Sequence, residues 1–314
     1  MIIPVVLERG LLCLIDKTIG VMMVKIFLES GFMVMILSAF FFAIADIIIK
    51  CISPPLGIIQ IAFVRFLLGA LILWPMLKSS GQSLIGNSIR ILLLRGLTGT
   101  LAFFFLLKSI VMIPLSNAMV LFYTFPLFAT FFSLLLLKET LKMLEIMLII
   151  LGMIGIYILI NPSSYTYSMG HMCGLLAGCF AGLTVVLIRK LGKTNGPLII
   201  YFYFCIVGGI ISSPFFIMTF KLPDFEQSSL LVFLAVIFLI AQILMNQGFK
   251  FCKAPEGGVI LMSEVVFTGI AGVVIFDDTM SLNFLAGTCL IIGSGVGLNL
   301  INRKNSVSNS VSNT

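Results

Sequence analysis

Apolar residues in this chain form long runs, and short groups of charged, Pro, Gly and Ser residues separate one run from the next. A helix that crosses a bilayer needs about 20 mostly apolar residues. Ten segments meet this requirement. The pattern therefore predicts an all-α membrane protein with ten transmembrane helices, near residues 31–51, 57–77, 89–108, 115–136, 143–161, 170–189, 197–219, 229–249, 256–276 and 282–301.

Composition supports the bilayer as the solvent of this chain. Of the 314 residues, 60% are apolar and 10% are charged, whereas a water-soluble domain carries about 25% charged residues. The net charge of +7 does not indicate nucleic acid, because the basic residues occur singly or in pairs between apolar runs. Seven cysteines without a CxxC pair and the lone His171 predict neither a metal centre nor a bound cofactor.

Loop charges predict the orientation of the chain. If the N-terminus is cytoplasmic, only Lys50, Lys108 and Lys221 fall on the outer side, and Arg65 and Arg95 fall inside spans. The remaining 14 of the 19 Lys and Arg residues then lie on the cytoplasmic side. Cytoplasmic loops are enriched in Lys and Arg. We therefore predict a multi-pass inner-membrane protein with both termini in the cytoplasm.

The two halves of the chain align when the sequence is shifted by 139 residues. Gly31 then meets Gly170, and Pro75 meets Pro214. Each half holds five spans, an odd number, so the second half enters the membrane upside down relative to the first. Inverted repeats of this kind are typical of secondary transporters, whose substrate site lies near mid-membrane between the halves.

The predicted organisation has four parts: an N-terminal cytoplasmic segment, two five-span repeats and a disordered cytoplasmic tail, at residues 1–30, 31–161, 170–301 and 302–314. Glu8 and Arg9 interrupt the apolar run near the N-terminus. This interruption favours a surface-lying segment, or a translation start at Met22 or Met23, over a signal peptide. The tail is polar and of low complexity, which predicts disorder.

Four segments resemble the EamA repeats of the drug/metabolite transporter superfamily: FFAIADIIIKCI, IIQIAFVRFLLGALIL, IPLSNAMVLFYTFPLFATFFSLLLLKETL and GLLAGCFAGLTVVLIRKLGKTNGP. The resemblance covers about residues 31 to 301. It implies a carrier of small metabolites that works as an uptake system, an exporter or an exchanger. Some bacterial members of the family take up S-adenosylmethionine and others export amino acids, so the resemblance does not select a substrate.

The repeat helps to separate charges that serve the fold from charges that serve the cargo. Lys50 aligns with Arg189, so both are expected to serve the shared fold, whereas Asp46 aligns with Val185. An acid inside a span costs roughly 2.5–3.5 kcal/mol on insertion scales. Asp46 therefore either forms a local ion pair with Lys50, one helical turn away, or lines a transport cavity.

Two arginines lie inside predicted spans. Arg65 aligns with Phe204 and has no pairing residue on its own helix. A buried guanidinium needs a counter-charge, so Arg65 is expected to face an acid in a structural or gating pair, or to contact an anionic cargo. Arg95 aligns with Leu234. Its long stem predicts snorkelling to the cytoplasmic headgroups, and contact with the cargo is the alternative.

Glu264 is the strongest candidate for a functional acid. It aligns with Phe125 and lies about 12 Å into its span at 1.5 Å per residue, with no base within four residues. It is expected to face Arg65 or Arg95 in a structural pair, or to bind a proton or a cation.

Two neutral polar residues of the fourth span, Asn117 and Tyr123, complete the set of pathway candidates. Pro126 follows them and frees a backbone carbonyl near Phe122, which opens a cavity or only kinks the helix.

The sequence thus predicts a secondary transporter rather than an enzyme. We expect a zwitterionic cargo, such as an amino acid or S-adenosylmethionine, and alternating access driven by proton coupling or exchange. The expected partners are this small molecule, the lipid bilayer and protons. The alternative is a membrane-embedded enzyme that acts on lipids or isoprenoids. That alternative has little support, because the chain lacks HExxH, GxSxG and DDxxD motifs.

Overall fold

The computed structural model describes residues 31–52, 56–79, 84–113, 115–139, 141–161, 168–276 and 281–311. The described chain forms twelve helices, which we number in chain order. Their bounds are α1 Gly31–Ile52, α2 Ile58–Ser79, α3 Ile89–Met112, α4 Leu115–Phe122, α5 Phe125–Leu137, α6 Met143–Ile160, α7 Met169–Leu191, α8 Pro197–Thr219, α9 Phe225–Phe251, α10 Ala254–Leu261, α11 Ser263–Phe276 and α12 Leu282–Val311.

These helices confirm the prediction of ten spans. Eight spans are single helices. The fourth span consists of α4 and α5, and the ninth consists of α10 and α11. The ten segments that are long and apolar enough to cross a bilayer run from Gly31–Ile52 to Leu282–Ile301, within a few residues of the predicted ranges.

The two interrupted spans break at equivalent positions of the repeats. The first break lies at Tyr123 and Thr124, and the second lies at Met262, 139 residues after Tyr123. Pro126 stands in the first turn after the first break. In the second repeat Val265 occupies the equivalent position, so the break forms there without proline. The interruption therefore belongs to the fold and is not merely a consequence of Pro126.

The main helix contacts join one repeat to the other. Helix α3 packs along α7, and α1 packs along α9, which is the same contact with the roles of the repeats exchanged. Helix α2 pairs with α8, and α6 pairs with α12. The Ser38 hydroxyl donates to the carbonyl of Ala241 at 2.9 Å, and the Ser109 hydroxyl donates to the carbonyl of Gly170 at 2.8 Å. These symmetric contacts are the packing of two inverted five-helix repeats.

Glycines on α7 bring that helix close to the interrupted fourth span. A Cβ atom at Gly182 would lie 2.6 Å from Phe128 Cβ and 2.8 Å from the Phe125 carbonyl oxygen. A Cβ atom at Gly178 would lie 2.8 Å from Thr124 Oγ1. Small residues at four-residue spacing allow backbones to approach in membranes, where packing rather than apolar burial drives association. The close approach holds α4 and α5 in place around their break.

Two ion pairs connect helix ends on one side of the bundle. Arg189 Nε lies 3.3 Å from Glu139 Oε1, and Lys253 Nζ lies 2.8 Å from Glu145 Oε1. We call these four residues the helix-end cluster. Arg189 also donates to the backbone carbonyls at the end of α9, 3.0 Å away in the case of Phe249. Arg189 was expected to act in the fold, and these contacts show how it does so: it ties α7 to α9 and to the end of α5.

The two ends of the chain differ in what the structure describes. Residues 1–30, predicted to be a cytoplasmic segment, lie outside the described residues. The backbone of helix α12 continues to Val311, and the disorder of residues 302–314 stays a prediction. A helix can extend past its apolar stretch because its backbone hydrogen bonds are internal to the segment. Residues 312–314 lie outside the described residues.

Candidate functional site

A cavity of about 310 Å³ lies between the two repeats. This size is in the range of small-molecule sites. Both repeats contribute to its wall, which is mostly aromatic and aliphatic. Five of the six predicted pathway residues line it: Asp46, Arg65, Arg95, Tyr123 and Glu264.

The two acids lie side by side although they belong to different repeats. Asp46 is on α1 and Glu264 is in the first turn of α11, and both side chains are half-buried. The Asp46 carboxylate neighbours both Glu264 and Thr268, and Tyr123 lies beside the two acids. The break at Met262 places Glu264 at the start of a half-helix, where the helix dipole favours a negative charge.

The two arginines form a second group on α2 and α3. Arg65 is 7% exposed and Arg95 is 1% exposed. The Arg95 guanidinium stacks on the ring of Phe204, with Cζ 4.1 Å from the ring centroid, and Nη2 donates to Gln242 Oε1 at 3.1 Å. The predicted snorkelling of Arg95 is therefore wrong. The guanidinium turns into the cavity because an amide acceptor and an aromatic face receive it there.

The predicted pairing of Arg65 or Arg95 with an acid is also wrong. Among the residues that the structure describes, neither arginine forms an ion pair, and Glu264 contacts Asp46 instead of a base. Arg65 instead lies against aromatic rings, with Cζ 4.0 Å from the centroid of Phe238. The cavity thus holds an acidic group and a basic group that do not neutralise each other.

Asn117 and Gln242 show where sequence reasoning was incomplete. Asn117 is buried on α4 but does not line the cavity. Gln242 was not singled out, yet it lines the cavity and accepts the Arg95 hydrogen bond. A glutamine inside an apolar span was the available signal, since a buried amide needs a polar partner.

A sequence profile decides the family. The profile of the EamA-like transporter family matches the chain twice, at residues 29–161 and 168–300. The chain belongs to the EamA-like transporter family. The family resemblance that the sequence suggested is therefore confirmed.

Relatives of this EamA-like protein transport different compounds. It is 28% identical to the pseudopaline exporter CntI of Pseudomonas aeruginosa strain UCBPP-PA14. The alignment of 278 residues covers 88% of this chain and 98% of the relative. It is 23% identical to the S-adenosylmethionine uptake transporter of Rickettsia bellii, over 79% of this chain and 85% of the relative. Human solute carrier family 35 member G1 is 24% identical, over 85% of this chain and 78% of the relative.

A protein of known crystal structure shares the fold. It superposes with a TM-score of 0.74 at 17% identity, over 88% of this chain and 98% of the other. This EamA-like protein is a multi-pass membrane protein and a small-molecule transporter, as its family and its named relatives are transporters.

Proposed function

We propose that this EamA-like protein is a secondary active transporter of a zwitterionic metabolite, an amino acid or a related compound such as S-adenosylmethionine. One observation carries the proposal: the cavity between the repeats contains two neighbouring acids and two neighbouring arginines that do not pair with each other. A zwitterion offers a cationic group to the acids and an anionic group to the arginines. The uptake of S-adenosylmethionine by the Rickettsia bellii relative agrees with this class of cargo.

The placement of the cavity supports alternating access as the mode of transport. Its walls come from both repeats, so a movement of one repeat against the other changes the side to which the cavity opens. The breaks in the fourth and ninth spans lie at the cavity, because Tyr123 lies in one of them, Glu264 follows the other, and both residues line the cavity. Interrupted spans at equivalent positions of inverted repeats are typical of transporter substrate sites.

The two acids are the proposed proton-coupling pair. Two carboxylates side by side in an apolar cavity repel each other when both are charged. A proton or the cationic group of the cargo relieves this repulsion. The binding of cargo and the binding of a proton are then linked, which is the requirement for coupling or exchange.

Loop charges support the proposed location and orientation. The excess of Lys and Arg in the loops of one side supports an inner-membrane protein with both termini in the cytoplasm. The helix-end cluster then lies on the cytoplasmic side, where it holds the ends of α5, α7 and α9 together beneath the cavity.

Proteoliposomes test the proposal. Uptake of labelled S-adenosylmethionine and of a set of labelled amino acids is measured with and without an imposed pH gradient. We expect at least one zwitterion to be transported and the gradient to change its accumulation. In Glu264→Gln the effect of the gradient is expected to disappear. Glu226→Gln is the matched control, since Glu226 is exposed at the start of α9.

Two outcomes contradict the proposal. In the first, the liposomes transport an uncharged compound and none of the zwitterions. In the second, the gradient acts equally on the parent protein and on Glu264→Gln, which removes the acid pair from the coupling mechanism.

A further inference from the structure

The arginine group of the cavity holds buried donors without acceptors. In the part of the chain that the structure describes, Arg65 Nε, Arg95 Nε and Arg95 Nη1 are buried and have no hydrogen-bond partner. The remaining Arg95 nitrogen, Nη2, donates to Gln242 Oε1 at 3.1 Å. Leaving a buried donor unsatisfied costs about 1–3 kcal/mol, and more for a charged group.

Aromatic rings fix the two guanidinium groups but do not satisfy their donors. Arg65 Cζ lies 4.0 Å from the ring centroid of Phe238 and 4.6 Å from that of Phe66, and Arg95 Cζ lies 4.1 Å from that of Phe204. A ring attracts the face of a guanidinium. The N–H bonds, in contrast, lie in the guanidinium plane and point past the ring. The groups are therefore held in place while their edges stay available.

The side chains that interact with the two arginines are neutral apart from the arginines themselves. Tyr201 and Cys205 interact electrostatically with both guanidinium groups, and the Tyr201 hydroxyl is buried without a hydrogen-bond partner among the described residues. Gly99 lines the cavity beside Arg95, where a Cβ atom would lie 3.4 Å from Nη1. Among the described residues no carboxylate forms an ion pair with either arginine, so this part of the cavity keeps two positive charges and three unsatisfied N–H donors.

We propose that Arg65 and Arg95 form a carboxylate-binding subsite of the transport cavity. This inference rests on the proposed function and names the part of the cargo that these residues recognise. The flat fork of a guanidinium matches the two oxygens of a carboxylate. A carboxylate is also favoured by charge balance. The four cavity charges sum to zero, and a cargo with one carboxylate and one ammonium group keeps that sum, whereas a phosphate dianion does not.

Benzoate and benzamide are the probes that test the subsite. They have nearly the same shape, and only benzoate carries the charge. Thermal shifts of the purified full chain are titrated with each compound at constant sodium chloride. We expect benzoate to stabilise the parent protein and benzamide not to do so. In Arg95→Lys the apparent affinity for benzoate is expected to fall roughly tenfold or more, because lysine keeps the charge but lacks the fork.

Arg90→Lys is the matched control, because Arg90 lies on the same helix and is exposed. It is expected to bind benzoate as the parent protein does. An equal loss in Arg90→Lys and Arg95→Lys overturns the subsite, since a guanidinium outside the cavity would then matter as much as the one inside it.

Gln242→Glu separates a binding role of Arg95 from a purely structural one. The new carboxylate stands where the amide oxygen already accepts the Arg95 hydrogen bond. This carboxylate would pair with Arg95 in place of a carboxylate from the ligand. We therefore expect a higher midpoint of thermal unfolding together with loss of the benzoate effect. A higher midpoint with unchanged benzoate binding overturns the inference and leaves Arg95 a structural residue.

Inorganic phosphate is the last arm of the experiment. Stabilisation by phosphate and not by benzoate overturns the assignment to a carboxylate, and so does a lack of response to both anions. In that case the proteoliposome measurement still decides the proposed function. If zwitterion uptake persists there, the carrier remains and only the recognition of a carboxylate by the arginines is lost.

Discussion

The helix-end cluster and the cavity contain the same kinds of charged residues in opposite arrangements. In the helix-end cluster each cation forms an ion pair with an acid: Arg189 with Glu139, and Lys253 with Glu145. In the cavity each acid neighbours an acid and each arginine neighbours an arginine. The first arrangement is complete within the protein. The second leaves charge that only a ligand or a proton can balance.

This difference indicates what each group is for. In an ion pair between helix ends, each charge is balanced by the other in every conformation that keeps those ends in contact. Unbalanced charges inside a membrane protein are costly, and such residues usually mark substrate or ion pathways. Paired charges therefore identify the scaffold here, and unpaired charges identify the transport path. Charge content alone does not separate the two groups.

Breaking the paired group gives the largest expected effect. Arg189→Ala removes the ion pair to Glu139 and the donors to the end of α9. We expect the free energy of unfolding to fall by about 2 kcal/mol, since hydrogen bonds to charged groups contribute roughly 1.5–3 kcal/mol each and this site is partly exposed. Unfolding in mixed micelles with increasing SDS measures the change.

Lys190→Ala is the control for this prediction, because Lys190 is the exposed neighbour of Arg189. Its stability is expected to stay within about 0.5 kcal/mol of the parent value. If both variants lose stability equally, the helix-end cluster is not a scaffold element and the contrast with the cavity fails.

Changing the unpaired group is expected to affect transport and leave the fold intact. Asp46→Asn keeps the size of the side chain and removes its charge. Among the described residues Asp46 forms no ion pair and its neighbour is the acid Glu264, so the loss of this charge is not expected to break an ion pair. We expect transport of the zwitterion identified in proteoliposomes to fall roughly tenfold, which corresponds to about 1.4 kcal/mol. The folded yield is expected to stay near that of the parent protein.

Folded yield is read from the monodisperse peak in size-exclusion chromatography. Equal losses of transport and of folded protein would return Asp46 to the scaffold and remove one member of the acid pair.

Sequence reasoning found the positions of the cavity but not its contacts. Apolar runs of span length were enough to predict the ten helices, because only a long apolar helix can cross the hydrocarbon core of a bilayer. The repeat gave more: Val185, Phe204 and Phe125 are the counterparts of Asp46, Arg65 and Glu264, and all three line the same cavity as the charged residues. The cavity therefore lies where equivalent positions of the two repeats meet.

The missed features depend on contacts between helices. Hydropathy shows that Arg95 lies inside a span but not which way its side chain turns, so snorkelling and cavity lining are equally compatible with it. The pairing of Asp46 with Glu264 requires the packing of α1 against α11. The break at Met262 has no proline to mark it.

The smallest expected effect tests the space beside the arginines rather than their charge. In Gly99→Ala the new Cβ atom would lie 3.0 Å from Phe204 Cε2 and 3.4 Å from Arg95 Nη1. The ring can shift by a few tenths of an ångström, and alanine favours the helix by up to about 1 kcal/mol over glycine. We therefore expect stability to be retained.

Benzoate binding to Gly99→Ala is expected to weaken about threefold, because the added methyl group narrows the space next to Arg95 Nη1 that a carboxylate would occupy. A threefold change in affinity corresponds to somewhat less than about 1 kcal/mol. Gly209→Ala is the control, because the nearest atom to a Cβ there is Phe66 Cβ at 3.9 Å. Thermal shifts with benzoate measure both variants. Equal affinities in the parent protein and in Gly99→Ala would place the carboxylate away from Nη1. The comparison between paired and unpaired charges would then have to rest on Arg65 and the acid pair.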